Sequence, residues 1–177
     1  MKALPFQYLK SPGNLKVCLY ISFIVAICSC DSHSGFDYPK DLPEDFEFKA
    51  IWHFEGSVID SSEGTFRQAI SYDSDTTISF TLTKTQKAKI YQIVKDIDVF
   101  GYPEDFEPPT TMEVLPSSGF YLEVQIRGVR KRINWKENVY SSTKRAKRLR
   151  HFFDHLDELL DASAEIQALP KDDRAFF

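Results

Sequence analysis

Residues 46–55 read FEFKAIWHFE, and the fold turns on how they are laid down. Phe46, Phe48, Ala50, Trp52 and Phe54 alternate with Glu47, Lys49, Ile51, His53 and Glu55. Successive side chains of a strand point to opposite faces, so this period of two puts five apolar groups on one face of a sheet. A strand of that kind needs antiparallel neighbours and a second layer over its apolar side.

The neighbours follow directly. Turn formers fill residues 61–64, and residues 65–72 (TFRQAISY) are expected as a second strand. A turn over 73–76 then leads to a third strand over 77–82 (TISFTL). Asp73 and Asp75 have the spacing that opens a calcium loop. Thr77, Ile78 and Lys84 stand where the next ligand, the glycine and the closing glutamate belong, so a polar turn is expected instead.

Thr83 and Gln86 have the spacing of a capping box, and Ala88, Ile90, Tyr91, Val94 and Ile97 recur at helical spacing; a helix is expected over 84–96. Residues 98–118 (DVFGYPEDFEPPTTMEVLPSS) carry four prolines and no period. Connections of that length are functional or loose. Phe100, Tyr102 and Phe106, with Met112 and Leu115, are therefore candidate partner contacts.

A hairpin comes next, with Phe120, Leu122, Val124 and Ile126 on one face, Gly128 at the turn, and Lys131, Ile133 and Trp135 on the return. Ser142 or Thr143 caps a second helix whose Ala146, Leu149, Phe152, Phe153, Leu156 and Leu160 form one stripe ending near Ala162. Ile166 and Leu169 pack behind it. The order β-β-β-α-β-β-α predicts an α+β fold: a two-layer domain over 45–170, with an antiparallel sheet of about five strands and two helices on one face. Residues 171–177 are expected as a flexible tail.

Before the domain, Lys2, Lys10 and Lys16 are the only charges ahead of Asp31, and residues 17–27 are apolar apart from Ser22. A bilayer-spanning helix needs about 20 apolar residues, whereas a signal-peptide apolar region needs about 7 to 15. The run ends in Ile27-Cys28-Ser29-Cys30. Here the chain resembles a bacterial lipoprotein precursor, in which an aliphatic residue and two small ones precede an obligatory cysteine. The resemblance implies a signal peptide over 1–29, cleavage between Ser29 and Cys30, and a diacylglycerol on the Cys30 thiol. The freed amine is often acylated too, by a palmitate-type chain. Two or more acyl chains give stable anchoring, at about 0.8 kcal/mol per buried CH₂.

Residues 30–44 would then be a lipidated tether, since 31–43 (DSHSGFDYPKDLP) hold turn formers and acids without a period. Acidic Asp31 after the cysteine accompanies inner-membrane retention in some lipoproteins and surface export in others. The later pattern is loosely similar to the small uncharacterised lipoproteins of bacteroidete-type genomes, a likeness that implies no activity.

Processing would remove Cys18 and Cys28, leaving Cys30 alone and lipidated, so the mature domain has no disulfide. Without the three leader lysines, 19 basic residues face 26 acidic ones, a formal charge of −7 that argues against nucleic acid as a partner.

Catalytic motifs are absent from the sequence: it has no Gly-x-Ser-x-Gly elbow, phosphate-cradling glycine loop or Cys-His couple. His151 and His155 are four apart on the second helix, but Phe152 stands where a metalloprotease has its general base, and the pair is expected on the wet face. No metal or cofactor is implied. A basic cluster joins Arg130, Arg132 and the rest of the hairpin to Lys144, Arg145, Lys147, Arg148 and Arg150. It can pair with the acidic residues Glu104, Asp105 and Glu107, or meet an external anionic surface. PEDFE at 43–47 recurs at 103–107, too short for a structural repeat. The expectation is a lipid-anchored envelope protein acting as a non-enzymatic interaction module, held by the membrane through Cys30 and contacting an envelope protein or anionic surface through Phe100, Tyr102, Phe106, Arg130, Arg132 and Arg148. The alternative is an envelope hydrolase with a dispersed site using His53 as base.

Overall fold

The computed structural model describes residues 34–54, 56–110, 119–136, 141 and 143–171. Seven strands form one sheet: β1 (Glu47–Trp52), β2 (Ser57–Asp60), β3 (Thr65–Ala69), β4 (Asp75–Ser79), β5 (Asp105–Phe106), β6 (Gly119–Ile126) and β7 (Val129–Lys136). The order across it is β4-β3-β2-β1-β6-β7-β5. Every pairing is antiparallel except that of β5 with β7. The helices among the described residues are α1 (Lys84–Asp96), α2 (Lys144–Asp161) and the single turn α3 (Ala164–Gln167).

The α+β class is as expected, but among the described residues the sheet is mixed rather than wholly antiparallel, with seven strands rather than five and three helices rather than two. The two added strands escape a periodicity reading for different reasons. β2 is four residues long and buried on both faces, so it has no alternation to detect. β5 is two residues long, and it exists because Glu104 and its neighbours lie along β7, where Asn134 N–H donates to the Glu104 carbonyl at 2.6 Å.

β1 sits at the centre, as its alternation requires. Its core face carries Phe48, Ala50 and Trp52, and Ala50 stands across from Ile59 on one side and Leu122 on the other. The strand stops at Trp52 because His53 and Phe54 both turn into the left-handed region, at φ 54° each. Phe54 therefore leaves the row it was expected to join. β4 is shifted toward the N-terminus of its expected span, so that Phe80 and Leu82 follow the strand and still reach the core.

Both long helices cover this same face. The Thr83 hydroxyl and Gln86 form the expected capping box, and α1 lays Ile90, Tyr91 and Val94 over Phe46, with Tyr91 at 5.2 Å ring to ring. Thr143 is the N-cap of α2. Phe152 meets Phe48 at 6.3 Å, and Phe153 meets Phe120 at 4.6 Å and Trp135 at 6.3 Å. Each such side chain contributes about 1.5–3 kcal/mol on leaving water, so this apolar layer dominates stability. The β6–β7 turn follows from Arg127 and Gly128, at φ 52° and 72°, the two left-handed residues a tight hairpin of this twist demands.

The expected tether divides at Ser34. Residues 30–33 lie outside the described residues. Residues 34–44 have no helix or strand, yet Phe36, Tyr38 and Leu42 pack against the core. The Tyr91 hydroxyl donates to the Pro39 carbonyl at 2.6 Å, and Phe36 stacks on Phe100 at 3.8 Å. The two PEDFE stretches share a logic without being a repeat: each buries its phenylalanine, while Asp45 accepts from Gly128 N–H and Asp105 accepts from the Asn134 side chain. The tail 172–177 is also outside the described residues.

Candidate functional site

With both long helices on one face, the other face of the sheet displays the polar residues of the alternating strands. The register sets them in rows. Glu47, Gln125 and Arg130 form one row, Asp60, Lys49, Glu123 and Arg132 the next, and Val58, Ile51, Tyr121 and Asn134 a third. Directly opposed residues stand close enough to pair.

The middle row is a ladder of alternating charge across four strands. Lys49 Nζ lies 3.1 Å from Asp60, Arg132 Nε donates to Glu123 at 2.6 Å, and Arg130 reaches the same carboxylate at 3.2 Å. The Tyr121 hydroxyl donates to Glu123 at 2.5 Å. Glu123 is thus the hub. Burial acts to raise its pKa, but the Tyr121 hydroxyl and the two guanidinium groups outweigh that and hold it below the usual range. Tyr121 is pushed up to about 12, first by burial and then by the carboxylate it donates to. Asp60 behaves similarly. Burial opposes its ionisation, and the Ser62 hydroxyl at 2.6 Å, Lys49 and the Glu63 amide lower its pKa. The outcome is a face whose side chains are held in place by one another.

The expected contacts fall into three groups. Arg130 and Arg132 are half-exposed on this face, and their carboxylate partner is Glu123. The acidic stretch pairs elsewhere on the hairpin, through Lys136 to Glu107 at 3.4 Å. Arg148 lies on α2, in its first turns. The aromatic contacts are placed differently from the expectation: Tyr102 and Phe106 are only 2% and 7% exposed. Their rings meet each other at 5.1 Å, Phe106 leans on Trp135, and the Tyr102 hydroxyl donates to the Arg145 carbonyl at 2.8 Å. They are packing residues because β5 draws this segment onto the sheet edge. Phe100 is half-buried under Phe36. Met112 and Leu115 lie outside the described residues, as do Ser29 and Cys30.

His53, the base of the hydrolase alternative, lies between a serine and an aspartate that the sequence did not single out. His53 Nδ1 is 3.2 Å from the Ser57 hydroxyl, and its Nε2 is 3.4 Å from Asp157 on α2. Asp157 also accepts from the Trp52 indole N–H at 2.8 Å, the shorter of the two contacts. The histidine side chain is 54% exposed, whereas Ser57 is 9% exposed. Such a cluster ties the β1–β2 turn to α2, and offers an attacking hydroxyl little room. His151 is exposed as expected, while His155 is half-buried with Nδ1 3.4 Å from Glu158. Among the described residues no group of three or more potential ligands could hold a metal ion, and no helix is long and apolar enough to cross a membrane.

No protein-family model matches the chain, and no curated protein matches it at a significant level.

Proposed function

We propose that the chain is a lipoprotein of the bacterial cell envelope, cleaved before Cys30 and acylated there, whose domain is a non-enzymatic interaction module. The anchor reading is supported by Ile27-Cys28-Ser29-Cys30 behind a short apolar run and a basic lead. The module reading is carried by one observation, the polar face on which Arg130, Arg132 and Tyr121 are ordered by Glu123 and Lys49 by Asp60. Preordered side chains lose less entropy on association, which favours recognition of a folded protein surface with complementary charge.

Two measurements test this. The mass of the N-terminal peptide from membrane-extracted protein should match an acylated Cys30; an unmodified Met1 start would refute the anchor. A photo-reactive residue at Gln125 should crosslink a defined envelope protein in intact cells, and the crosslink should vanish with Arg132→Glu. Crosslinking no stronger than from Lys89, on the exposed side of α1, would refute the module.

The hydrolase alternative draws on the His53–Ser57–Asp157 contacts. Labelling by a fluorophosphonate that Ser57→Ala abolishes would favour it over the module.

A further inference from the structure

We infer that the basic first two turns of α2 are a membrane-facing surface that holds the domain against anionic phospholipid headgroups; this rests on the acylation of Cys30 proposed above. Residues 144–150 contain five cations and no acid, and residues 154–161 contain four acids and no Lys or Arg. A helix macrodipole favours the reverse, so this polarity brings α2 no local stabilisation. It is also displayed outward: Lys144, Lys147 and His151 are exposed at one end, and Asp154, Glu158 and Asp161 at the other. Among the described residues, Lys147 and Arg148 have no carboxylate within ion-pair distance, unlike the hairpin arginines.

The position of the basic end gives the polarity a use. Ser34, where the described chain begins, is bonded through its amide and hydroxyl to Asp98. Gly101 N–H donates to the Asp98 carbonyl at 2.9 Å, and the Gly101 carbonyl accepts from the Arg145 guanidinium. One short 3-10 turn, Val99–Gly101, therefore separates the point where the chain enters the domain from the first turn of α2. Cys30 precedes Ser34 by four residues, which span at most about 14 Å when extended. The headgroup field decays over about 8–10 Å, the Debye length at moderate salt, and it attracts Lys and Arg close to the surface. An acylated Cys30 would hold this end of the domain near that layer, while the acidic end of α2 is repelled from it.

The test uses the full acylated protein in phosphatidylcholine vesicles with and without phosphatidylglycerol. A headgroup spin-labelled lipid serves as quencher. A fluorophore is attached at His151→Cys or, separately, at Asp161→Cys, a blocked Cys30 being unreactive. Quenching at position 151 should be severalfold stronger with phosphatidylglycerol, fall at high salt, and disappear in Lys147→Glu/Arg148→Glu at an unchanged unfolding midpoint. Position 161 should stay unquenched in both vesicles. Equal quenching at 151 in both vesicle types, or equal quenching at 151 and 161, overturns the inference. The N-terminal peptide mass of the same sample separates the failures. An unmodified Cys30 sinks the anchor reading and this inference together, while an acylated Cys30 without lipid dependence sinks the orientation alone.

Discussion

The carboxylate of Asp98 accepts both the amide and the hydroxyl of Ser34, at 2.8 and 2.6 Å, across 64 residues of sequence. The Tyr38 hydroxyl adds a third bond at 3.1 Å, and burial beside this carboxylate pushes the phenol pKa well up. Asp98 holds the left-handed conformation at φ 54°, a region aspartate and asparagine tolerate better than most residues. One side chain thus fastens the entering segment to the start of the loop after α1.

Asp98→Ala removes three bonds to a charged acceptor and adds left-handed strain. We expect a loss of about 2–4 kcal/mol in denaturant unfolding and new proteolytic cleavage within 34–42. Asp98→Asn should recover part of both. Unchanged protection of that segment in Asp98→Ala would mean that the Phe36 and Tyr38 packing holds it without the carboxylate.

The polar face makes stability pH-dependent. Glu123 and Asp60 both have folded pKa values lowered by their partners. The unfolded chain then binds protons first as pH falls, so their contribution is complete above the unfolded values of about 4.3 and 3.9. It is lost as pH drops through the lower folded values. Unfolding midpoints should therefore fall steeply below about pH 4.5. Glu123→Gln with Asp60→Asn should flatten that slope, and an identical slope in this variant would show that other carboxylates control it.

Asp157 is expected to matter through Trp52 more than through His53. Asp157→Ala strands a buried indole N–H and should cost about 1–3 kcal/mol, whereas His53→Ala, at an exposed side chain, should stay within about 0.5 kcal/mol. A double-mutant cycle of Trp52→Phe with Asp157→Ala should show coupling of about 0.5–3 kcal/mol. Stronger coupling of Asp157 to His53 would turn attention back to a catalytic role.

Arg127 occupies a left-handed position at φ 52° without the residue type best suited to it. Arg127→Asn should stabilise the hairpin by a few tenths to about 1 kcal/mol, and Gly128→Ala, at φ 72°, should destabilise it by about 1–2 kcal/mol. Thermal unfolding of the two variants reads both signs.

Much of the fold was legible because it is local. Thr83 and Gln86 mark the start of α1, and the stripe from Ala146 to Leu160 marks α2. The turn at Arg127 and Gly128 even fixes the pairing of Glu123 with Arg132, since a two-residue hairpin sets the register of everything beside it. That pairing was available from the sequence by counting outward from Gly128, and the expectation of pairing with Glu104, Asp105 and Glu107 overlooked it. Tyr102 and Phe106 read as loop aromatics because two residues of parallel strand leave no periodic trace.

What the sequence determined by itself is the class, the central strand, both long helices and the polar alternation that makes one sheet face wet, because each depends on side chains within a few residues of one another. Only the tertiary structure decided that Ser34 is held by Asp98, that Trp52 spends its N–H on Asp157, and that the basic turns of α2 stand beside the entering chain. Those pairs are separated by 64 or more residues, and no local spacing encodes them. They arise when helices settle on a sheet, and whichever polar groups then lie beneath or beside the apolar layer must find partners there.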